Sequence, residues 1–220
     1  MDLVIFDLDG TLVDSKRDLI NSVNATREHM GLPHLDDNLV ASYVGRGAQA
    51  LIKSSLGEHA SDEELEKALE YFLGYYREHM LDYTRLYPGV VESLERLHNA
   101  GARMAILTNK PVRFSEQMIQ RLGLSEKFFR IYGGNSFEQK KPHPIGIDTL
   151  CEEAGIEKRR TIMIGDSAVD IRTARNAGVK SCGVTYGFQP ESFHEDPPDV
   201  IVDSMAEITE MLLTKPHTAA

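Results

Sequence analysis

The stretch Leu3-Val4-Ile5-Phe6-Asp7-Leu8-Asp9-Gly10-Thr11 decides the fold. Four consecutive apolar residues bounded by a turn signal read as a short strand buried on both faces, the pattern of a parallel sheet covered by helices. Asp7 and Asp9 follow at once and Gly10-Thr11 turns the chain away, which puts Asp7 at the carboxyl end of that strand. Similar runs recur at 103–107, 129–132, 161–164, 180–184 and 200–202. Between them lie helical patterns with recognisable ends. Pro88 opens one that Gly101 closes, Pro111 precedes one ended by Gly123, and Ser204 with Glu207 predicts a capping box. Strand and helix alternate, so the expectation is an α/β fold: a Rossmann-like, doubly wound parallel sheet with helices on both faces.

The exception is the segment between the first and second strands. Residues 15–85 show only helical patterning, with Leu19, Val23, Thr26 and Met30 on one stripe and Leu65, Leu69, Phe72, Tyr76 and Met80 on another. Ser61 and Glu64 cap the second. The expected organisation is a catalytic core of residues 1–14 and 86–220 with an all-helical cap, residues 15–85, inserted by two chain crossings near 14–16 and 82–87. Such an insertion over the carboxyl edge of the sheet works as a lid, or else is a side domain without a catalytic part. The tail, residues 215–220, reads as disordered.

Composition removes several function classes. The 24 Lys and Arg against 34 Asp and Glu give a formal charge of −10, and no basic run stands out. Nucleic acid and acidic membrane surfaces are therefore not expected as partners. No stretch approaches the roughly 18 apolar residues of a membrane span. Asp2, Asp7 and Asp9 occupy the region where a secretory signal would be basic, so a cytoplasmic chain is expected. Cys151 and Cys182 belong to no metal or redox spacing and read as buried free thiols.

The chemistry lies in the acids. A second pair, Asp166 and Asp170, follows the strand at 161–164, and a helix opening at Ser167 would return Asp170 to the same edge. Like charges about 4 Å apart repel by roughly 4 kcal/mol at an effective dielectric near 20. Either some of these groups are protonated or a cation binds among them. Oxygen ligands without Cys or His favour a hard ion, and Mg²⁺ is expected. Taken singly, Asp7 and Asp9 could be turn formers and Asp166 a helix cap. Groups of opposite character follow: Thr108-Asn109-Lys110 at a strand end before a helix makes an anion site, and Lys141, stiffened by Pro142, supplies an ammonium. Lys140 reads as a surface residue, and His143, the one histidine near these segments, as structural.

Together these segments resemble the four motifs of the haloacid dehalogenase superfamily, in order and spacing: Asp7-Leu8-Asp9-Gly10-Thr11, Thr108-Asn109-Lys110, Lys141-Pro142, and Gly165-Asp166-Ser167 with Asp170. The resemblance spans nearly the whole chain. It implies a two-step phosphoryl transfer in which Asp7 is the nucleophile and Asp9 the acid and base. Mg²⁺ would be held by the side chains of Asp7 and Asp166 and the backbone carbonyl of Asp9. Thr108 and Asn109 would bind the phosphoryl group with Lys141 compensating its charge, while Asp170 and Ser167 stand behind the site. An acid two positions after the nucleophile suits an alkoxide leaving group rather than a halide, so the implied activity is that of a phosphatase. The segments at 19–32, 43–51, 87–90 and 141–144 are most similar to those of bacterial phosphoglycolate phosphatases. That similarity implies a small phosphorylated metabolite, 2-phosphoglycolate, as substrate. The loop Gly45-Arg46-Gly47 would meet its carboxylate, or the glycines form only a turn and Arg46 faces water. Asn135-Ser136 and Gln139-Lys140 depart from that group's loop without touching the motifs. A phosphomutase, a pyrophosphatase or a sugar-phosphate phosphatase shares the same core. A phospho-Asp signalling switch, from another class, also carries an acceptor Asp with an acidic pair, a Thr and a Lys, but gains nothing from Asp9 or a lid. Monomer and homodimer both remain open.

Overall fold

A computed structural model describes residues 1–214; the tail expected to be disordered lies outside the described residues. The elements in chain order are β1 (Leu3–Phe6), β2 (Val13–Asp14), α1 (Lys16–His29), α2 (Asp37–Ser42), α3 (Ala48–Leu56), α4 (Asp62–His79), β3 (Arg85–Leu86), α5 (Val90–Asn99), β4 (Arg103–Leu107), α6 (Val112–Arg121), β5 (Arg130–Tyr132), α7 (Ile145–Ala154), β6 (Thr161–Gly165), α8 (Ala168–Ala177), β7 (Lys180–Val184), β8 (Val200–Val202) and α9 (Met205–Leu213).

Six strands form one sheet in the order β5-β4-β1-β6-β7-β8, and every pairing is parallel. From β1 the chain winds first outward through β4 and β5, then returns to β6 and winds the other way. The switch point therefore lies at the carboxyl end of β1, where an open sheet of this kind binds its ligand. The run Leu3 to Phe6 is fully buried and its alternation serves two cores. Val4 and Phe6 pack with Ile106, Ile164, Leu94, Met118 and Ile208, whereas Leu3 and Ile5 pack with Ile147, Leu150, Met163 and Ala174. Helices α5, α6 and α9 thus cover one face and α7 and α8 the other.

The four helices α1 to α4 leave the core between β1 and β4. Their inward stripe, including Leu19, Val23, Phe72, Tyr76 and Met80, belongs to the same apolar cluster as Phe6 and Phe114 of the core, so the helices lie against it. Leu65, Leu69 and Met30 are partly buried. The Ser61–Glu64 capping box at the start of α4 is present. Two features differ from expectation. Both chain crossings pass through an antiparallel ribbon, Val13 pairing with Leu86 and Asp14 with Arg85, and two residues are too few for any periodicity to announce a strand. At α9, Ser204 caps the N–H of Glu207, but the Glu207 carboxylate accepts from the N–H of Asp203 rather than from that of Ser204. Cys151 and Cys182 are buried and free. Among the described residues no helix is long and apolar enough to cross a membrane.

Candidate active site

The site begins where β1 ends. Asp7 continues the sheet through its own N–H, which donates to Ile164 O at 2.9 Å, and its Oδ1 accepts from the N–H of Leu8 at 2.7 Å. The chain then folds into a tight turn in which the N–H groups of Thr11, Leu12 and Val13 all converge on Leu8 O. Gly10 makes that turn possible on two counts. Its φ is +83°, and a Cβ there would stand 2.1 Å from Asp166 Oδ2. The first acidic loop and the second are pressed together because position 10 carries no side chain.

Asp166 stands at the end of β6, and its Oδ2 accepts from the N–H of Phe188 at 2.6 Å. Asp170, on the first turn of α8, reaches back to Ser167, accepting from its N–H at 3.2 Å and its hydroxyl at 2.8 Å. The reciprocal capping box at Ser167 fixes this rotamer. Lys141, whose peptide bond to Pro142 is cis, places Nζ 3.0 Å from Asp7 Oδ1 and 2.6 Å from Asp170 Oδ1.

Oxygens of Asp7, Asp166 and Asp170 all lie within 4.8 Å of one another, and all three residues are buried. Three carboxylates face one ammonium, so the fully ionised cluster lacks two positive charges. Burial pushes the Asp7 carboxyl up to about 6, with Lys141 opposing and Asp170 adding to the rise. Burial, followed by Asp170 and Asp7, raises Asp166 well above the ordinary carboxylate range. For Lys141, burial acts to lower the ammonium, but Asp170 and Asp7 outweigh it and keep it charged. An all-oxygen, doubly deficient cluster fits a hard divalent cation. Among the described residues, the carboxylates that converge are these three; the side chain of Asp9 turns elsewhere.

Asp9 instead meets Lys110, whose Nζ donates to Oδ1 at 2.9 Å and to Oδ2 at 3.0 Å, and it also accepts from the Ser15 hydroxyl. Lys110 Nζ makes a further bond of 2.5 Å to the Tyr76 hydroxyl, from α4. Burial alone would lower this ammonium; Asp9 and then Tyr76 reverse the effect and hold it above its ordinary range. Thr108 is buried, its N–H donating to Tyr132 O and its hydroxyl accepting from the N–H of Lys110 at 3.3 Å.

The loop between α2 and α3 closes over these groups. Asn109 Nδ2 donates to Gly45 O at 2.9 Å and to Lys141 O at 3.1 Å, joining the helical segment to the core. Gly47 has φ +89°, and a Cβ there would lie 2.9 Å from Asn109 O. On the other flank, Gln189 Nε2 donates to Val44 O at 2.8 Å and Ser42 O at 3.1 Å. Between loop and core lies a cavity of about 50 Å³ lined by Asp7, Asp9, Gly45, Gly47, Thr108, Asn109 and Lys110 and by apolar side chains of both segments.

The sequence-predicted residues Asp7, Asp9, Thr108, Asn109, Lys141, Gly45 and Gly47 thus share one site, with Asp166, Asp170 and Ser167 beside it. Arg46 does not join them. It is exposed and absent from the cavity wall, because the loop presents the backbone of its two glycines instead. Lys140 and His143 are exposed; His143 Nδ1 accepts from the N–H of Ile145. Lys110, Tyr76 and Gln189 went unassigned. Lys110 stood inside a quoted motif, and Tyr76 stood on a helical stripe as one more apolar residue.

The family profile described as haloacid dehalogenase-like hydrolase matches residues 4–184. The chain belongs to that family. Among curated members it is 38% identical over 218 residues to a phosphoglycolate phosphatase of Vibrio vulnificus strain YJ016, covering 96% of each chain. It is 39% identical over 213 residues to one of Chromobacterium violaceum, covering 95% of each. In three dimensions this haloacid dehalogenase-like hydrolase superposes on a predicted phosphoglycolate phosphatase from Haemophilus somnus 129PT with a TM-score of 0.90 at 33% identity, covering 96% of this chain and 97% of that one.

Proposed function

We propose that this hydrolase is a Mg²⁺-dependent phosphatase that converts 2-phosphoglycolate to glycolate and phosphate through an aspartyl phosphate on Asp7. The observation that carries this reading is the buried set of three carboxylates around one lysine at the end of β1, with a separate carboxylate, Asp9, two positions beyond the nucleophile. Asp7 attacks phosphorus as the bond to the ester oxygen breaks and that oxygen takes a proton from Asp9; Asp9 then takes a proton from the water that attacks phosphorus, breaking the acyl-phosphate P–O bond and releasing phosphate and the free Asp7 carboxylate. Lys141 holds Asp7 in line and offsets charge on the phosphoryl oxygens. Thr108 and the N–H of Asn109 receive that group. The Asp7 and Asp166 side chains and the Asp9 carbonyl would hold Mg²⁺, with Asp170 behind Lys141, and the ion would supply charge neutralisation there.

Residues 15–85 act as a cap that closes on the core residues 1–14 and 86–220, and the bonds from Asn109 and Gln189 to the α2–α3 loop support closure at that point. The leaving group would enter the cavity between loop and core, against Asp9, Lys110 and the apolar side chains that line it. A monomer or homodimer in the cytoplasm, acting on a small phosphorylated metabolite, completes the proposal.

The test is a panel of phosphate esters assayed with Mg²⁺ and ranked by kcat/KM. 2-Phosphoglycolate should rank first and sugar phosphates well below it. Release of phosphate from none of them would refute the reading.

A further inference from the structure

At the site, the groups needed for the proposed phosphoryl transfer leave one buried cation over, Lys110. The Lys110 side chain is 4% exposed, and among the described residues no other lysine or arginine lines the cavity. Lys141 is committed to Asp7 and Asp170, and Arg46 lies outside. Lys110 is held against Asp9 by two bonds to that carboxylate and by one to Tyr76, with Nζ also 4.5 Å from the centre of the Tyr76 ring. The rest of that wall is apolar: Leu19, Val44, Leu51, Phe72 and Phe114.

Substrate geometry follows from these positions. If Asp9 protonates the ester oxygen, that oxygen lies against Asp9, and the leaving group extends into the cavity. A substituent one carbon beyond the oxygen then comes within reach of Nζ, which touches the same carboxylate. An anion on that carbon needs a cation in so dry a space, because an unpaired buried charge is strongly disfavoured. A neutral substituent would leave Lys110 with only its present partners.

We propose that Lys110 is the specificity-determining residue of this enzyme: it pairs with an acidic group carried by the leaving half of the substrate and so selects phosphate esters of short hydroxy acids over those of neutral alcohols. The inference rests on the phosphatase reading above. Tyr76 is a positioning residue. Its hydroxyl aims the ammonium, and its ring packs edge-on against Phe114 of α6 at 5.6 Å, so α4 completes the subsite only when it lies against the core.

The experiment compares 2-phosphoglycolate with its uncharged amide, with p-nitrophenyl phosphate as a general reporter, in wild type, Lys110→Gln, Lys110→Arg and Tyr76→Phe. In wild type the acid should exceed the amide in kcat/KM by on the order of a hundredfold, the size of effect expected when one partner of a buried, hydrogen-bonded charge pair is lost. Lys110→Gln should collapse that ratio mainly through KM for the acid, and Lys110→Arg should restore part of it. Tyr76→Phe should lower the ratio several-fold, again through KM. An equal loss on acid and amide in Lys110→Gln, or a wild type indifferent to the charge, would overturn the assignment while leaving the phosphatase reading intact if p-nitrophenyl phosphate is hydrolysed. Should Lys110→Gln fail to fold, the wild-type ratio and its response to Tyr76→Phe decide; an unchanged ratio overturns the proposal. No phosphate from any of the three esters would remove the phosphatase reading and this inference with it.

Discussion

Asp166 forms no ion pair with Lys141 and shares its surroundings with two other acids, with the N–H of Phe188 as its hydrogen-bond donor. Burial raises it and Asp7 above their values in an unfolded chain. Without metal, these two groups therefore bind more protons in the folded state than in the unfolded state above about pH 4, and their contribution to stability falls as pH rises through that window. Removing one of the charges should relieve the penalty. In EDTA, the melting temperature of Asp166→Asn relative to wild type should rise progressively between about pH 4 and pH 7, and Mg²⁺ at pH 7 should stabilise wild type far more than the variant. A pH-independent difference would show that Asp166 ionises freely in the folded protein. At this scale the acids were legible in the sequence because strand-end carboxylates at fixed offsets have few other uses. The Lys110–Asp9–Tyr76 contact was not, since it joins residues 34 and 101 positions apart and no local pattern reports such a pairing.

The elements that carry the cap are joined to the core by the ribbon of β2 and β3, and one buried carboxylate pins its approach. Asp18, in the first turn of α1, accepts from the N–H of Tyr83 at 3.0 Å, the N–H of Thr84 at 2.8 Å and the Thr84 hydroxyl at 2.8 Å. Asp18→Ala would strand two backbone donors in a dry place, and urea unfolding should show a loss of about 2 to 4 kcal/mol. A change near zero would mean that water replaces the carboxylate. The loop between α2 and α3 invites a second substitution. Gly47→Ala forces a backbone conformation open only to glycine, at about 1 to 3 kcal/mol, and drives a methyl group toward Asn109 O. Steady-state assays should find kcat/KM reduced by roughly tenfold or more, as about 1.4 kcal/mol of lost closure implies. An unaffected variant would separate the loop from closure. The major strands and helices were readable because burial on both faces and capping residues mark them. The ribbon was not, because two paired residues carry no period, and the two orientations open to Arg46 were not separable, because Gly45-Arg46-Gly47 itself does not say whether side chain or backbone lines the cavity.

Across the whole molecule, the doubly wound sheet brings three distant segments, ending at Asp7, Lys141 and Asp166, to one edge, and the inserted helices cover that edge with apolar side chains continuous with the core. In the proposed mechanism this arrangement leaves Asp7 to attack and Asp9 to move protons beneath the covering helices. The order of segments was legible from strand–helix alternation. How tightly the cap would sit was not, because it depends on Asn109 and Gln189 reaching backbone carbonyls that no side-chain pattern encodes. The claim on which the account stands is that Asp7 becomes phosphorylated, and the most direct measurement uses Asp9→Asn with p-nitrophenyl phosphate, whose good leaving group needs no acid. The account predicts a burst of about one nitrophenolate per enzyme followed by a stall, with the mass of one phosphoryl group on the peptide containing Asp7. Continued turnover without a covalent adduct, or an adduct on any other residue, would contradict it.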